Sequence, residues 1–237
     1  MRTFETTHWS VVLAAGAGSS AQAREALDQL CRSYWQPVFR FLRQAGHGPE
    51  DAEDLTQQFL AELLSRDAFA GLDWRRGRFR SFLLASLRNF LGHQRERTMA
   101  LKRGGGRTVI SLEGVRGNEI GLESGAGTAD VFFDRQWGMA VIESARRRLE
   151  AEYVAAGRSG RFEDLSGYLP GGEPERSQGE IAERWGVGVG AVKTEVYRMR
   201  QRFGQFLRME VARTVSDKGE IDSELRYLVE LFSGGSG

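Results

Sequence analysis

The stretch EIAERWGVGVGAVKTEVYRMR, Glu180 to Arg200, decides the fold. Its apolar residues recur at helical spacing on both sides of a glycine-rich centre, which predicts two short helices around a tight turn. Glu180 to Trp185 form the first helix. Gly186 takes the turn, because left-handed backbone is cheap only for glycine. Ala182 stays small where the second helix crosses it, and Ile181, Trp185, Val187, Val192 and Val196 point inward and set the crossing angle. This is the pattern of a helix-turn-helix. On that geometry Ala191, Lys193, Thr194 and Glu195 face base edges in a major groove, while Arg198, Arg200 and Arg202 reach phosphates. Glu195 either accepts from a cytosine amino group or lies off the duplex. An ordinary αα-corner is the competing reading. GVGVGA also imitates a dinucleotide-binding fingerprint, but that motif needs a preceding strand, and the residues before it read as helix.

The rest of the chain is organised by charge. The formal charge over 237 residues is only +1, yet the signs are segregated. Glu50, Asp51, Glu53, Asp54, Glu62, Asp67 and Asp73 precede a block of Arg75, Arg76, Arg78, Arg80, Arg88, Arg95, Arg97, Lys102, Arg103 and Arg107. Such blocks suggest two surfaces with different partners, unless they mainly pair with each other. Hydrophobic residues are 41 % and charged residues 27 %, ordinary for a globular protein. The one cysteine, Cys31, excludes an internal disulfide and a multi-cysteine metal site and fits a reducing compartment. No apolar run reaches membrane-spanning length and no signal-peptide pattern stands out, so a cytoplasmic protein away from membranes is expected. His8, His47 and His93 have no metal spacing, and no nucleophile set or paired carboxylate suggests catalysis. KRGGGR (Lys102 to Arg107) lacks the Lys-Ser/Thr pair of a phosphate loop and reads as a flexible basic joint. No enzyme, metal or cofactor is expected.

Periodicity makes the chain all-α. Ala26, Leu27, Leu30, Cys31, Tyr34 and Trp35 open a helix after a Gly/Ser loop. Pro37 predicts a kink or a fresh start. Pro49 and the acids Glu50, Asp51 and Glu53 begin the next helix, where the helix dipole favours negative charge. Its apolar side is Leu55, Phe59, Leu60, Leu63 and Leu64. Phe79, Phe82, Leu83, Leu87, Phe90 and Leu91 form the buried stripe of an arginine-bearing helix. Glycines break the pattern from about Met99, and a helical stripe resumes with Trp137, Val141, Ile142, Ala145 and Leu149. A shorter helix is expected over 162–169. An amphipathic helix with Ile221, Leu225, Leu228, Val229 and Phe232 lies within 206–232 and is expected to pack back on one of two domains. The expected layout is an extension at 1–20, a helical domain at 21–98, a Gly-rich linker at 99–132, a helix-turn-helix domain at 133–208 and a helical extension at 209–237. The terminal GGSG carries no fold signal.

GHGPEDAEDLTQQFLAELL, then GRFRSFLLASLRNFLGHQRER, then a linker, then EIAERWGVGVGAVKTEVYRMRQRF resemble, in that order, a bacterial RNA polymerase sigma factor. The similarity is to the compact extracytoplasmic-function type, which keeps sigma domains 2 and 4. It covers roughly 21–97 and 133–207. TTHWSVVLAAG and EVARTVSDKGEIDSELRYLVELF are similar to a subgroup carrying such extensions. The resemblance implies that Asp51, Asp54, Leu55, Gln57, Gln58, Phe59 and Glu62 dock on the clamp helices of the polymerase largest subunit, with the flap as a second contact. It implies that Arg78, Arg80, Ser81, Arg88, Asn89, His93, Arg95 and Arg97 hold the −10 element, the arginines on phosphates. Phe79 and Phe82 are candidates to stack on an unpaired base, or else core. The helix-turn-helix then takes the −35 element of promoter DNA. Gly188 and Gly190 stand where the family often has a Ser or Thr cap; glycine there costs only about a few tenths of a kcal/mol. The acidic linker (Glu113, Glu119, Glu123, Asp130, Asp134) either threads a positive channel near the RNA path or is a solvated spacer. Control by an anti-sigma factor or a kinase is a further implication, with Thr56 as candidate phosphate acceptor. The alternative is a free-standing helix-turn-helix regulator that never joins the polymerase; it leaves the acidic and arginine-aromatic helices unexplained.

Overall fold

A computed structural model describes residues 21–64, 78–102 and 126–233. Every regular element among them is helical. They divide into two compact units, one holding the described residues up to Ala140 together with 213–233, the other Val141–Ala212. The units meet at Ala140/Val141 and Ala212/Arg213. The expected N-terminal extension and most of the linker, with Glu113, Glu119 and Glu123, lie outside the described residues, as do Arg75, Arg76, Arg103 and Arg107. The ends of the linker span are helical.

In the first unit, α1 (Ala21–Gln44) buries Leu27, Leu30, Cys31, Tyr34, Val38, Phe41 and Leu42. It runs through Pro37 without a fresh start. One lost hydrogen bond is offset by the apolar stripe that continues on both sides of the proline. Gly46, at φ +94°, turns the chain into α2 (Pro49–Leu64). Proline at the first helical position needs no hydrogen-bond partner for its nitrogen, and Glu50 and Asp51 follow in the first turn. α2 buries Ala52, Thr56, Phe59, Leu60 and Leu63. α3 (Phe79–Lys102) buries Phe79, Leu83, Leu84, Leu87, Phe90 and Leu91.

α4 (Ala126–Ala155) carries a buried residue at every fourth position from Phe133 through Trp137, Val141, Ala145 and Leu149 to Tyr153. The boundary between the units falls inside it, at Ala140/Val141. Its first half contributes Phe133 and Trp137 to the first unit. In the second unit, α5 (Ser159–Leu165) ends in a 3-10 turn at Ser166–Tyr168, shorter than one continuous helix to Leu169. α6 (Gln178–Trp185) and α7 (Val189–Ala212) follow. Tyr153, Phe162, Leu165, Leu169, Ile181, Val192, Val196, Met199 and Phe203 close one core with Ala145 and Leu149.

The amphipathic segment expected within 206–232 is split. Residues up to Ala212 complete α7, and α8 (Ile221–Ser233) is a separate helix belonging to the first unit. Val215, Ile221, Leu228 and Leu231 are buried. A methyl group on Gly138 of α4 would lie 2.8 Å from side-chain carbons of Leu228 and Phe232, so α8 rests closely on α4 there. No described helix is long and apolar enough to cross a membrane.

Candidate nucleic-acid and protein interfaces

The tight turn between α6 and α7 is built by local chemistry. Ser177 caps α6: its hydroxyl accepts from the Glu180 N–H, and the Glu180 carboxylate accepts from the Ser177 N–H. These hydrogen bonds hold the Glu180 carboxyl below its ordinary value. Gly186 ends α6 at φ +65°, and its N–H donates to the Ala182 and Glu183 carbonyls. Ile181, Ala182, Val192 and Val196 are buried as expected, but Val187 is exposed: it rides on the turn rather than inside it. α7 begins at Val189, immediately after Gly188.

The buried Asp164 of α5 fixes α6. Its carboxylate accepts from Trp185 Nε1 at 2.9 Å, Arg184 Nη1 at 3.1 Å and Arg176 Nη1 at 3.3 Å. One carboxylate thus ties the first helix and the loop before it to the helix behind. Asp164 was not singled out from the sequence, because a lone acid in a short helix gives no pattern.

The outward face of α7 sorts the expected contact residues. Ala191, Lys193, Thr194 and Arg198 are exposed. Glu195 is turned inward, its side chain 14 % exposed and paired with Arg158 at 3.5 Å, so it is removed from the base-facing set. Arg200 Nε donates to the Tyr168 carbonyl, and Arg202 forms a fork with Glu152, at 2.6–3.1 Å, over the Phe206 ring. Both arginines are engaged within the unit, and Arg200 remains exposed. Tyr197, 63 % exposed, sits one turn beyond Lys193 and Thr194 and joins their face. Spacing away from the buried Val192, Val196 and Met199 marks it as outward, a signal available in the sequence.

In the first unit α2 presents Asp51, Asp54, Gln57, Gln58 and Glu62 to solvent, with Leu55 half-buried. Phe59 is buried against Phe90, ring centroids 5.6 Å apart, so it holds α2 on α3 and offers no contact to a partner. Thr56 is fully buried and its hydroxyl donates to the Ala52 carbonyl at 2.6 Å, which closes it to a kinase in this fold.

The residues expected on the −10 element divide in the same way. Ser81, Asn89, Arg95 and Arg97 are exposed and His93 is half-buried. Arg88 pairs with Asp130, and Arg78 with Glu224. Arg80 is only 4 % exposed. Its guanidinium meets Glu224 through Nε at 3.1 Å and Asp134 through Nη1 at 2.8 Å, with the Trp137 and Tyr227 rings 5.0 and 4.4 Å away. Arg80 therefore does not face a ligand here. Burial pushes the Glu224 carboxyl up, and Arg80 and Arg78 pull it part of the way back. Burial, together with the hydrogen bond to Asp134, pushes the Tyr227 phenol up to about 12. Phe79 is core, packed edge-on to Tyr34 at 4.9 Å, whereas Phe82 is half-buried. Asp130 and Asp134, expected in an acidic linker, lie on α4 and pair with α3 arginines.

No family model, curated protein or solved structure matches this chain. What its surfaces do is argued from their own geometry.

Proposed function

We propose that the chain is a sigma factor of the extracytoplasmic-function type, which joins core RNA polymerase and directs it to promoter DNA. One arrangement supports the reading. An exposed carboxylate and amide face on α2 is packed through Phe59 and Phe90 against the arginine-bearing α3, and the same chain holds a capped helix-turn-helix with a basic, aromatic outer face. An acidic face suits a protein partner better than DNA, because phosphates repel it. The revised contact set is Asp51, Asp54, Gln57, Gln58 and Glu62 for the polymerase. Ser81, Asn89, Arg95 and Arg97 serve the opened strand. Ala191, Lys193, Thr194, Tyr197 and Arg198 serve the duplex.

The test is transcription by purified chain and sigma-free polymerase on a library of promoter fragments. Asp54→Arg is expected to abolish polymerase binding and leave the isolated chain folded. Tyr197→Ala with Lys193→Ala is expected to remove duplex selection and leave polymerase binding intact. A chain with no affinity for the core enzyme ends this reading. Dimers on palindromic duplexes with no transcripts would point instead to a free-standing regulator.

A further inference from the structure

The start of α3 gathers positive charge: the helix end itself, Arg78 and Arg80. Residues from 213 onward occupy that place. The Thr214 carbonyl accepts the Phe79 N–H at 3.0 Å. The fully buried Glu224 pairs with both arginines, and Asp134 takes the remaining face of Arg80. Tyr227 donates to Asp134 and lies over the Arg80 guanidinium. A buried ion pair is a poor adhesive, since desolvation cancels much of its attraction and apolar residues of similar volume often hold as well or better. The burial-raised Glu224 carboxyl is consistent with that cost. The apolar grip of α8 is modest, with Ile221, Leu228 and Leu231 buried while Val229 and Phe232 stay exposed.

The geometry points to a latch: α8 places a carboxylate where a nucleic-acid phosphate would sit, so that Glu224 and backbone phosphates compete for Arg78 and Arg80. This rests on α3 being the nucleic-acid helix. In the latched form Arg95 and Arg97 remain available, so binding is weak rather than absent. Release of α8 frees Arg78 and uncovers Arg80, which keeps Asp134 of α4 as its one remaining carboxylate partner.

The experiment measures binding of a labelled single-stranded oligonucleotide across a salt series, with helical content followed by circular dichroism. Gly138→Leu wedges α8 away without changing charge, and truncation after Ser216 removes it. Each is expected to stay folded, the truncated chain losing no more helical signal than α8 itself carries, and to steepen the log–log salt slope by about 0.7 for each arginine released. Glu224→Gln is expected to release Arg78 alone. Folded variants with the wild-type slope would overturn the latch. So would loss of the helical signal in both opened forms, since α8 would then be a fixed part of the unit. If wild-type and opened chains bind equally and Arg95→Ala with Arg97→Ala leaves that binding unchanged, or if none of them binds, the assignment of α3 to nucleic acid falls as well.

Discussion

Two arginines on two helices show how differently the units use one residue type. In the second unit Arg200 lies on the surface, its Nε on the Tyr168 carbonyl. In the first unit Arg80 is enclosed by two carboxylates and two aromatic rings. Both stand in basic, amphipathic helices, and both were expected on phosphates, Arg200 from the turn geometry and Arg80 through the family resemblance. What separates them is distant chain. Residues 134, 137, 224 and 227 converge on Arg80, whereas the partner of Arg200 is a single backbone carbonyl. A basic helix is a nucleic-acid surface only where no acidic segment of its own chain arrives first.

The widest gap between the two should appear in stability. Arg80→Ala leaves Glu224 buried without its main partner and is expected to cost about 3–5 kcal/mol, read by urea unfolding. Arg200→Ala should stay within about 0.5 kcal/mol, as for most surface changes. Equal losses would break the comparison.

A smaller effect is expected at the turn of the second unit. Gly186→Ala forces a side chain into left-handed backbone and should cost about 1–2 kcal/mol, with duplex binding falling with it because the two helices lose their angle. A variant as stable as the parent would mean that the turn tolerates another conformation.

The smallest effect concerns the cap of α6. Ser177→Ala should cost about 1 kcal/mol. Its pH dependence follows from Glu180, whose folded carboxyl is held below the ordinary value. A depressed acid contributes stability above its unfolded pKa and loses it as pH falls through the folded one. The protection of the amides at the start of α6, taken relative to the intrinsic exchange rate at each pH, should therefore fall on acidification below about 4.5, and the difference between Ser177→Ala and wild type should shrink. Protection that stays constant through that window would remove Glu180 from the cap.

Legibility followed range. The turn glycine, the acidic first turn of α2 and the buried stripes of α3 and α4 all depend on residues a few positions apart, and the sequence shows each of them; the Ser177–Glu180 cap is equally local but was not picked out. Tyr197 was equally legible by spacing, though it was not picked out. Val187 was expected inside but rides on the turn between α6 and α7, where helical periodicity no longer fixes which side a residue faces.

By itself the sequence determined the helical class, the place of the tight turn between α6 and α7 and the separation of acidic from basic helices, because helix periodicity and turn chemistry act over three or four residues. Only the tertiary structure decided that 213–233 belongs with the first unit, and that Asp134 and Glu224 claim Arg80. Those pairings join residues 54 and 144 positions apart. The physical reason is that desolvation and ion pairing depend on distance in space, which no local pattern along the chain encodes.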